Sequence, residues 1–145
     1  MRFDIENQMS VEQAFTGGAT VSEHSIEKIS AAQDISIGRR MALIIIPRVA
    51  AGAGSTHTME IIQADNIALT SNVEVLGSIE VLAAALILGS YHELPIPQGL
   101  MDKRYLGFRN TSTGGATTVT LDVYLMPQDE IEFYKSFPKV VDVSV

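Results

Sequence analysis

The sequence predicts an all-β protein whose antiparallel strands form a sandwich or a barrel. Its apolar residues are mostly β-branched, with 15 Ile and 12 Val among 145 residues, and such side chains fit pleated, half-buried surfaces better than helices. Glycine-rich turns recur at residues 17–18, 52–54 and 114–115. The segments between these turns have the length of strands, and several alternate between apolar and polar residues.

The first three predicted strands differ in how they are expected to be buried. Val21–Ile29 is rich in polar residues and alternates only partly, which favours an edge strand. Met41–Arg48 is a continuous apolar run, which predicts a strand buried on both faces and ended by Pro47. His57–Ala64 alternates, which predicts one buried and one exposed face.

Four further predicted strands share a short alternating pattern: Asn72–Ile79, Ser90–Pro97, Arg104–Thr111 and Thr117–Met126. The last of these alternates most regularly, and its inward residues are predicted to be Val119, Leu121, Val123 and Leu125. About seven strands at this spacing are typical of an antiparallel sandwich or barrel.

One segment, Glu80–Leu88, is predicted to be a short helix between strands. Leu82 and Leu86 lie on one helical stripe with Ile79, and Gly89 stands where a glycine often ends a helix.

The chain is predicted to be a single domain over residues 1–145. It divides into an N-terminal arm at 1–19, a β-sandwich core at 20–126 and a C-terminal extension at 127–145. The extension is rich in aromatic residues and ends in alternating valines. Two interpretations are open for it: packing on its own sandwich, or reaching a neighbouring subunit.

Composition excludes several classes of protein. The chain is 46% hydrophobic and 19% charged, with a mean hydropathy of +0.20, which favours a packed core over disorder. It has no Cys, so disulfides and Cys-ligated zinc are excluded. Its longest apolar runs, Met41–Ile46 and Val81–Leu88, are shorter than the about 20 residues of a membrane span. A net charge of −7 argues against a nucleic-acid partner. We therefore expect neither a nucleic-acid nor a membrane partner.

The sequence contains no motif that predicts catalytic, metal-binding or cofactor-binding residues. His24, His57 and His92 lack the close spacing of metal ligands. Ser55 and His57 share a Gly-rich turn, but a Ser–His pair without a third group or a nucleophile elbow is weak evidence for a hydrolase. We therefore expect a structural or interaction protein, no cofactor and no enzymatic activity.

Three stretches resemble the cement, or decoration, proteins that bind the outside of tailed-bacteriophage capsids. Ile29–Gly38 (ISAAQDISIG) is similar to the family's Ala-Ala-x-Asp-Ile-x-Ile-Gly segment. Leu94–Leu106 (LPIPQGLMDKRYL) resembles its Pro-rich strand end, Gly-containing turn and Arg-Tyr-Leu strand entry. The opening Phe3–Asp4, followed by Gln13–Ala14, also fits, and the likeness covers residues 1–126.

The resemblance implies a jelly-roll fold and a structural virion protein. Such a protein would bind the outer surface of the major capsid protein lattice across capsomer seams and stabilise the expanded capsid against internal DNA pressure. Its expected partners are that lattice and further copies of itself, as a dimer or a trimer, and its expected location is the capsid exterior. Arg39–Arg40 and residues 127–145 depart from the family pattern.

The candidate interface residues come from the chain ends and from small clusters of cations: Phe3, Phe15, Arg39, Arg40, Lys103, Arg104, Ile131, Phe133, Tyr134, Phe137, Val141 and Val143. Three other residues are expected to have structural roles. Asp34 would brace a turn, Gly38 would adopt a positive φ, and Tyr105 would pack its ring while its hydroxyl bonds a partner.

Other function classes stay open beside this one. A ligand- or carbohydrate-binding β-sandwich would need a concave aromatic patch, for which Tyr91, Tyr105 and Tyr124 are the candidates. A tail or fibre component of a phage particle is a further alternative. A cupin-type enzyme would need two His close in sequence, which this chain lacks.

Overall fold

A computed structural model describes residues 8–28, 40–115 and 117–131 of the chain. Its strands are β1 (Gln8–Phe15), β2 (Ala19–Val21), β3 (Ile26–Glu27), β4 (Met41–Val49), β5 (Ser55–Ala64), β6 (Glu74–Leu82), β7 (His92–Pro95), β8 (Tyr105–Gly114) and β9 (Val119–Pro127). A 3₁₀ turn at Ala83–Ala85 follows β6, and residues 128–131 are helical. Among the described residues, no helix is long and apolar enough to cross a membrane.

The strands form two antiparallel sheets. One sheet has the order β1-β9-β4-β7, and the other has the order β2-β8-β5-β6, with β3 also paired to β8. The chain passes repeatedly from one sheet to the other, so that strands distant in sequence lie side by side. With β2 and β3 sharing one edge position, this arrangement is the two-sheet, eight-strand jelly roll. The predicted all-β sandwich is confirmed.

The core lies between the two sheets. Phe15 of β1 and Phe108 of β8 meet edge to face there, with ring centroids 5.5 Å apart. The residues predicted to point inward from β9 are all buried in this core: Val119, Leu121, Val123 and Leu125. The regular alternation of β9 therefore gives the correct inward face.

Strand β4 is buried on both faces, as its continuous apolar run predicts. Leu43 and Ile45 belong to the core between the sheets, whereas Ala42 and Ile44 pack on the outer face of the four-stranded sheet. Pro47 does not end the strand. It lies beyond the last residue of β4 that pairs with β7, so its missing N–H removes no bond to that strand, and a register shift against β9 follows it.

The predicted helix at Glu80–Leu88 is mostly strand and turn. Leu82 still pairs with Thr56 of β5, and only Ala83–Ala85 form a helical turn. Strand pairing thus overrides the helical spacing of the apolar side chains, because the extended conformation pairs these residues with β5 and places Val81 in the core. Gly89 has a φ of +84°, which fits a turn that returns the chain toward β7.

The chain ends also differ from the sequence-based interpretation. Residues 8–15, part of the predicted N-terminal arm, form β1, which pairs with β9 inside the sandwich. The segment predicted as the strand Val21–Ile29 contains the end of β2 and all of β3, and both strands lie at an edge beside β8. Of the C-terminal extension, residues 127–131 are described.

Candidate functional site

Two predicted interface cations form ion pairs within the chain. The Lys103 ammonium lies 3.6 Å from an Asp65 carboxylate oxygen and 3.7 Å from one of Glu74, and its side chain is only 15% exposed. The Arg104 guanidinium pairs with the carboxylate of Glu27. Both cations neutralise acids of their own chain, which leaves little positive charge for an acidic partner.

Phe15 and Ile131, expected to contact a neighbour, are fully buried in their own chain. Because β1 joins the four-stranded sheet, it carries Phe15 into the core against Phe108. The helical residues 128–131 place Ile131 in the apolar cluster of Ala42 and Ile44. Neither side chain offers the surface that an interface role would require.

Arg40 and Tyr105 keep part of their surface. Arg40 is exposed, and its backbone carbonyl accepts a hydrogen bond from the Gln128 N–H at 2.8 Å. Tyr105 is half-buried against Leu69, with the Arg104 guanidinium carbon 5.9 Å from its ring centroid. The other predicted residues lie outside the described ranges: Phe3, Asp34, Gly38, Arg39, Phe133, Tyr134, Phe137, Val141 and Val143.

The three tyrosines proposed as a sugar-binding patch do not come together. Tyr91 and Tyr124 pack beside Ile44 on the outer face of the four-stranded sheet. Tyr105 packs beside Ile62 on the outer face of the other sheet. A single aromatic patch made of all three is therefore wrong, because the two sheets separate them.

A buried polar cluster lies between the sheets next to the Gly-rich turns. It consists of Ser55 and His57 of β5 and Asn110 and Ser112 of β8, each at most 5% exposed. Ser55 Oγ donates to the Gly52 carbonyl at 2.7 Å and lies 2.9 Å from His57 Nε2. Ser112 Oγ lies 2.9 Å from His57 Nδ1 and accepts a hydrogen bond from Asn110 Nδ2 at 3.0 Å.

This arrangement of donors assigns a neutral His57 with its proton on Nε2. Because the Ser55 hydroxyl donates to Gly52, Nε2 must donate to Ser55, and Nδ1 then accepts from Ser112. Burial lowers the pKa of His57. The pair is sealed from solvent, so Ser55 and His57 are not arranged as a nucleophile and base open to a substrate.

A second buried group, the Gln63 amide, holds the segment that precedes β8. Its Oε1 accepts hydrogen bonds from the backbone N–H groups of Asp102 at 3.0 Å and Lys103 at 3.1 Å. Its Nε2 donates to Asp102 Oδ1 at 2.7 Å and to Glu74 Oε2 at 2.9 Å. One side chain thus fixes the turn inside Leu94–Leu106 to the five-stranded sheet.

In the described part of the chain, no group of three or more His, Asp or Glu is placed to hold a metal ion.

Several exposed apolar residues lie at and beyond the end of β6, and they were not among the sequence-based candidates. Within Leu82–Leu88, Leu82 is 60%, Ile87 54% and Leu88 65% exposed, whereas Leu86 is fully buried. The uninterrupted apolar run is visible in the sequence. The helical spacing of these apolar residues, however, predicts a helix with one apolar face packed on the core. The sequence therefore does not indicate that Leu82, Ile87 and Leu88 are exposed.

Three solved structures are similar to the chain. The crystal structure of PirA matches at 14% identity, covers 85% of this chain and 100% of that chain, and has a TM-score of 0.42. The structure of infectious bursal disease virus, Gt strain, matches at 9% identity, with 82% and 30% covered and a TM-score of 0.43. The endo-1,4-beta-D-xylanase 10B modules of Clostridium thermocellum, complexed with xylohexaose, match at 13% identity, with 83% and 28% covered and a TM-score of 0.39. At TM-scores below 0.5, none of them indicates what this chain binds.

Comparison with curated proteins finds no match. The sequence model of one family, Bbp16, matches residues 9–125, which run from the start of β1 almost to the end of β9. Bbp16 is a phage-related family, and membership fits a structural protein of a virus. With this match over most of its length, the chain belongs to the Bbp16 family.

Proposed function

We propose that the chain is a capsid cement protein. It binds the outer surface of the major capsid protein lattice across capsomer seams and stabilises the expanded capsid against the pressure of packaged DNA. Membership of the phage-related Bbp16 family is the observation that carries this proposal. The stretches Ile29–Gly38 and Leu94–Leu106, which resemble cement proteins, support it independently.

The mechanism is multivalent clamping by a stiff body, without catalysis. Two sheets pack over a shared core, and the side chains of His57 and Gln63 are hydrogen-bonded within this unit. Each copy makes contacts that are weak alone, and the symmetry of the lattice repeats them, so that the summed contacts resist expansion. On this proposal the chain associates with further copies of itself on the capsid, as a dimer or a trimer.

The proposal is tested by adding the purified chain to particles that lack it. We expect saturable binding, with a copy number comparable to that of the major capsid protein, and DNA release at a higher temperature. Antibody labelling of intact virions should place the chain on the exterior. The matched control is an unrelated acidic β-sandwich of similar size, which should neither bind nor stabilise.

Two results would refute the proposal. One is that particles lacking the chain keep full resistance to heat and osmotic shock. The other is a copy number of only a few per virion, which would assign the chain to the tail or a fibre.

A further inference from the structure

The segment Leu82–Leu88, called here the apolar loop, exposes three large aliphatic side chains. Leu82, Ile87 and Leu88 are large and exposed, and no charged residue interrupts the run from Val81 to Tyr91. A run of exposed aliphatic residues promotes aggregation unless a partner covers it, so such a surface usually marks an interaction site.

The apolar loop is held firmly in this exposed position. Leu86 is buried in the core, its carbonyl accepts from the Ala51 N–H at 3.1 Å, and its own N–H donates to the Ala83 carbonyl at 3.1 Å. The Ile87 carbonyl accepts from both the N–H and the Oγ of Ser90, at 3.2 and 2.6 Å. Leu86 therefore anchors the loop while Ile87 and Leu88 point outward. A preorganised loop loses little conformational entropy when it docks.

The charged residues nearest to the apolar loop along the sequence are acidic. No Lys or Arg occurs between Val49 and Asp102, whereas several acids do. Glu60 is neutralised by Arg109, whose Nε lies 3.0 Å from Glu60 Oε1. Glu80 is exposed and lies two residues before Leu82, on the same face of β6. A partner that covers the loop therefore meets aliphatic side chains with a carboxylate beside them.

We propose that the apolar loop inserts into an apolar groove with a basic rim on the capsid lattice protein, an inference that rests on the proposed function. A second copy of this chain is a poorer occupant, because the same patch on that copy offers a carboxylate and no Lys or Arg near it in sequence to pair with Glu80. An anionic lipid surface repels the same acids, and the loop has no Trp, Lys or Arg to anchor it at a membrane interface. The loop has only seven residues, whereas each partner of a stable isolated complex contributes about 20–30 residues, and so small a contact suits a lattice that repeats it.

The test compares binding of the wild-type chain and the double variant Ile87→Ser/Leu88→Ser to particles that lack this protein, by co-sedimentation. We expect at least about a tenfold weaker affinity, because two exposed aliphatic side chains no longer become buried on binding. The thermal unfolding midpoint should not change, since both side chains are exposed and Leu86 is untouched. Glu80→Lys should weaken binding as well, and more strongly at low salt. The matched control is Ile67→Ser, which removes an isoleucine that is 69% exposed from the loop between β5 and β6 and should bind like wild type.

The outcomes separate this inference from the proposed function. Wild type that fails to bind overturns the proposed function. Wild type that binds while the double variant binds equally well overturns only the loop assignment. The assignment is also wrong if the wild type dimerises in sedimentation and the double variant does not. It is equally wrong if the wild type binds phosphatidylglycerol-containing vesicles through the loop.

Discussion

Glu12 and Asp122 are joined across the β1–β9 pair: the Glu12 backbone N–H donates to Asp122 Oδ1 at 2.6 Å. Glu12 has a φ of +46° and lies where the register between the two strands shifts, between Ser10 and Gln13. The Asp122 side chain is 8% exposed, and its other oxygen lies 3.5 Å from Arg48 Nε. A carboxylate from the neighbouring strand thus satisfies the N–H that the bulge in β1 leaves without a ladder partner.

Asp122→Ala should destabilise the protein by about 1–3 kcal/mol, because it leaves the Glu12 N–H without its acceptor. Asp122→Asn keeps an acceptor oxygen at this position, so its free energy of unfolding should fall by less than that of Asp122→Ala. The free energy of unfolding in urea measures both changes. Glu12→Gly should not destabilise the bulge, because glycine adopts a positive φ freely. If Asp122→Ala unfolds at the same urea concentration as wild type, the carboxylate does not hold the bulge.

Mild acid should destabilise the protein through His57. Burial lowers its pKa in the folded state, while an unfolded chain titrates near 6.5. Above pH 6.5 both states are neutral at this group, so it contributes no pH dependence. Below 6.5 the unfolded state binds the proton first, and the free energy of unfolding falls by up to about 1.4 kcal/mol per pH unit until the folded-state pKa is reached.

The measurement is urea unfolding of wild type and His57→Gln between pH 7 and 5. The variant should be less stable at pH 7 but should show a flatter pH dependence. His24→Gln serves as the control, because the His24 side chain is 61% exposed. If the free energy of unfolding falls with pH at the same rate in wild type and in His57→Gln, the assignment of a neutral, buried His57 ring is wrong.

Gln63→Leu should destabilise the protein by about 2–3 kcal/mol, because two backbone N–H groups lose their acceptor. Hydrogen exchange of the Asp102 and Lys103 amides should accelerate locally. Gln63→Glu keeps the acceptor but brings a third carboxylate next to Glu74 and Asp102. Its loss in the free energy of unfolding, relative to wild type, should therefore become smaller as the pH is lowered and the carboxylates are protonated. Unchanged exchange at these amides in Gln63→Leu would show that the turn is held by other contacts.

Gly114→Ala should destabilise the protein by about 1–3 kcal/mol. Gly114 has a φ of +86°, and an added Cβ would lie 2.6 Å from the Gly54 carbonyl oxygen. Gly18→Ala is the control, because its Cβ would meet nothing within 4 Å, and it should be neutral or slightly stabilising. Thermal unfolding of the two variants is compared. Equal unfolding midpoints would contradict the close approach of the turns that contain Gly54 and Gly114.

The strands from β4 to β9 were predictable because their side chains alternate or form continuous apolar runs, except for the last three residues of β6, which the sequence assigns to a helix. Strand β1 was not, since its bulge at Glu12 interrupts the alternation between Met9 and Phe15, both of which are buried. The sheet order was equally hidden, because it depends on pairing between strands far apart in sequence. The jelly roll came from the resemblance to cement proteins, and the strand order now supports it directly.

The candidate site was less predictable than the fold. Lys103 and Arg104 form a visible cluster in the sequence, but their partners Asp65 and Glu27 come from other parts of the chain. Only tertiary structure shows that these charges are already paired. Hydrophobicity likewise does not distinguish the buried Leu86 from the exposed Leu88 two residues later.

The position of β9 between β1 and β4 has a consequence for biosynthesis. Gln8 pairs with Tyr124, and Met41 pairs with Pro127, so neither strand can complete its ladder until β9 has left the ribosome. Contacts this distant along the chain form slowly. A nascent chain therefore carries unpaired edges on β1 and β4 until β9 has been synthesised, and chaperone supply during that interval should set the yield of folded protein.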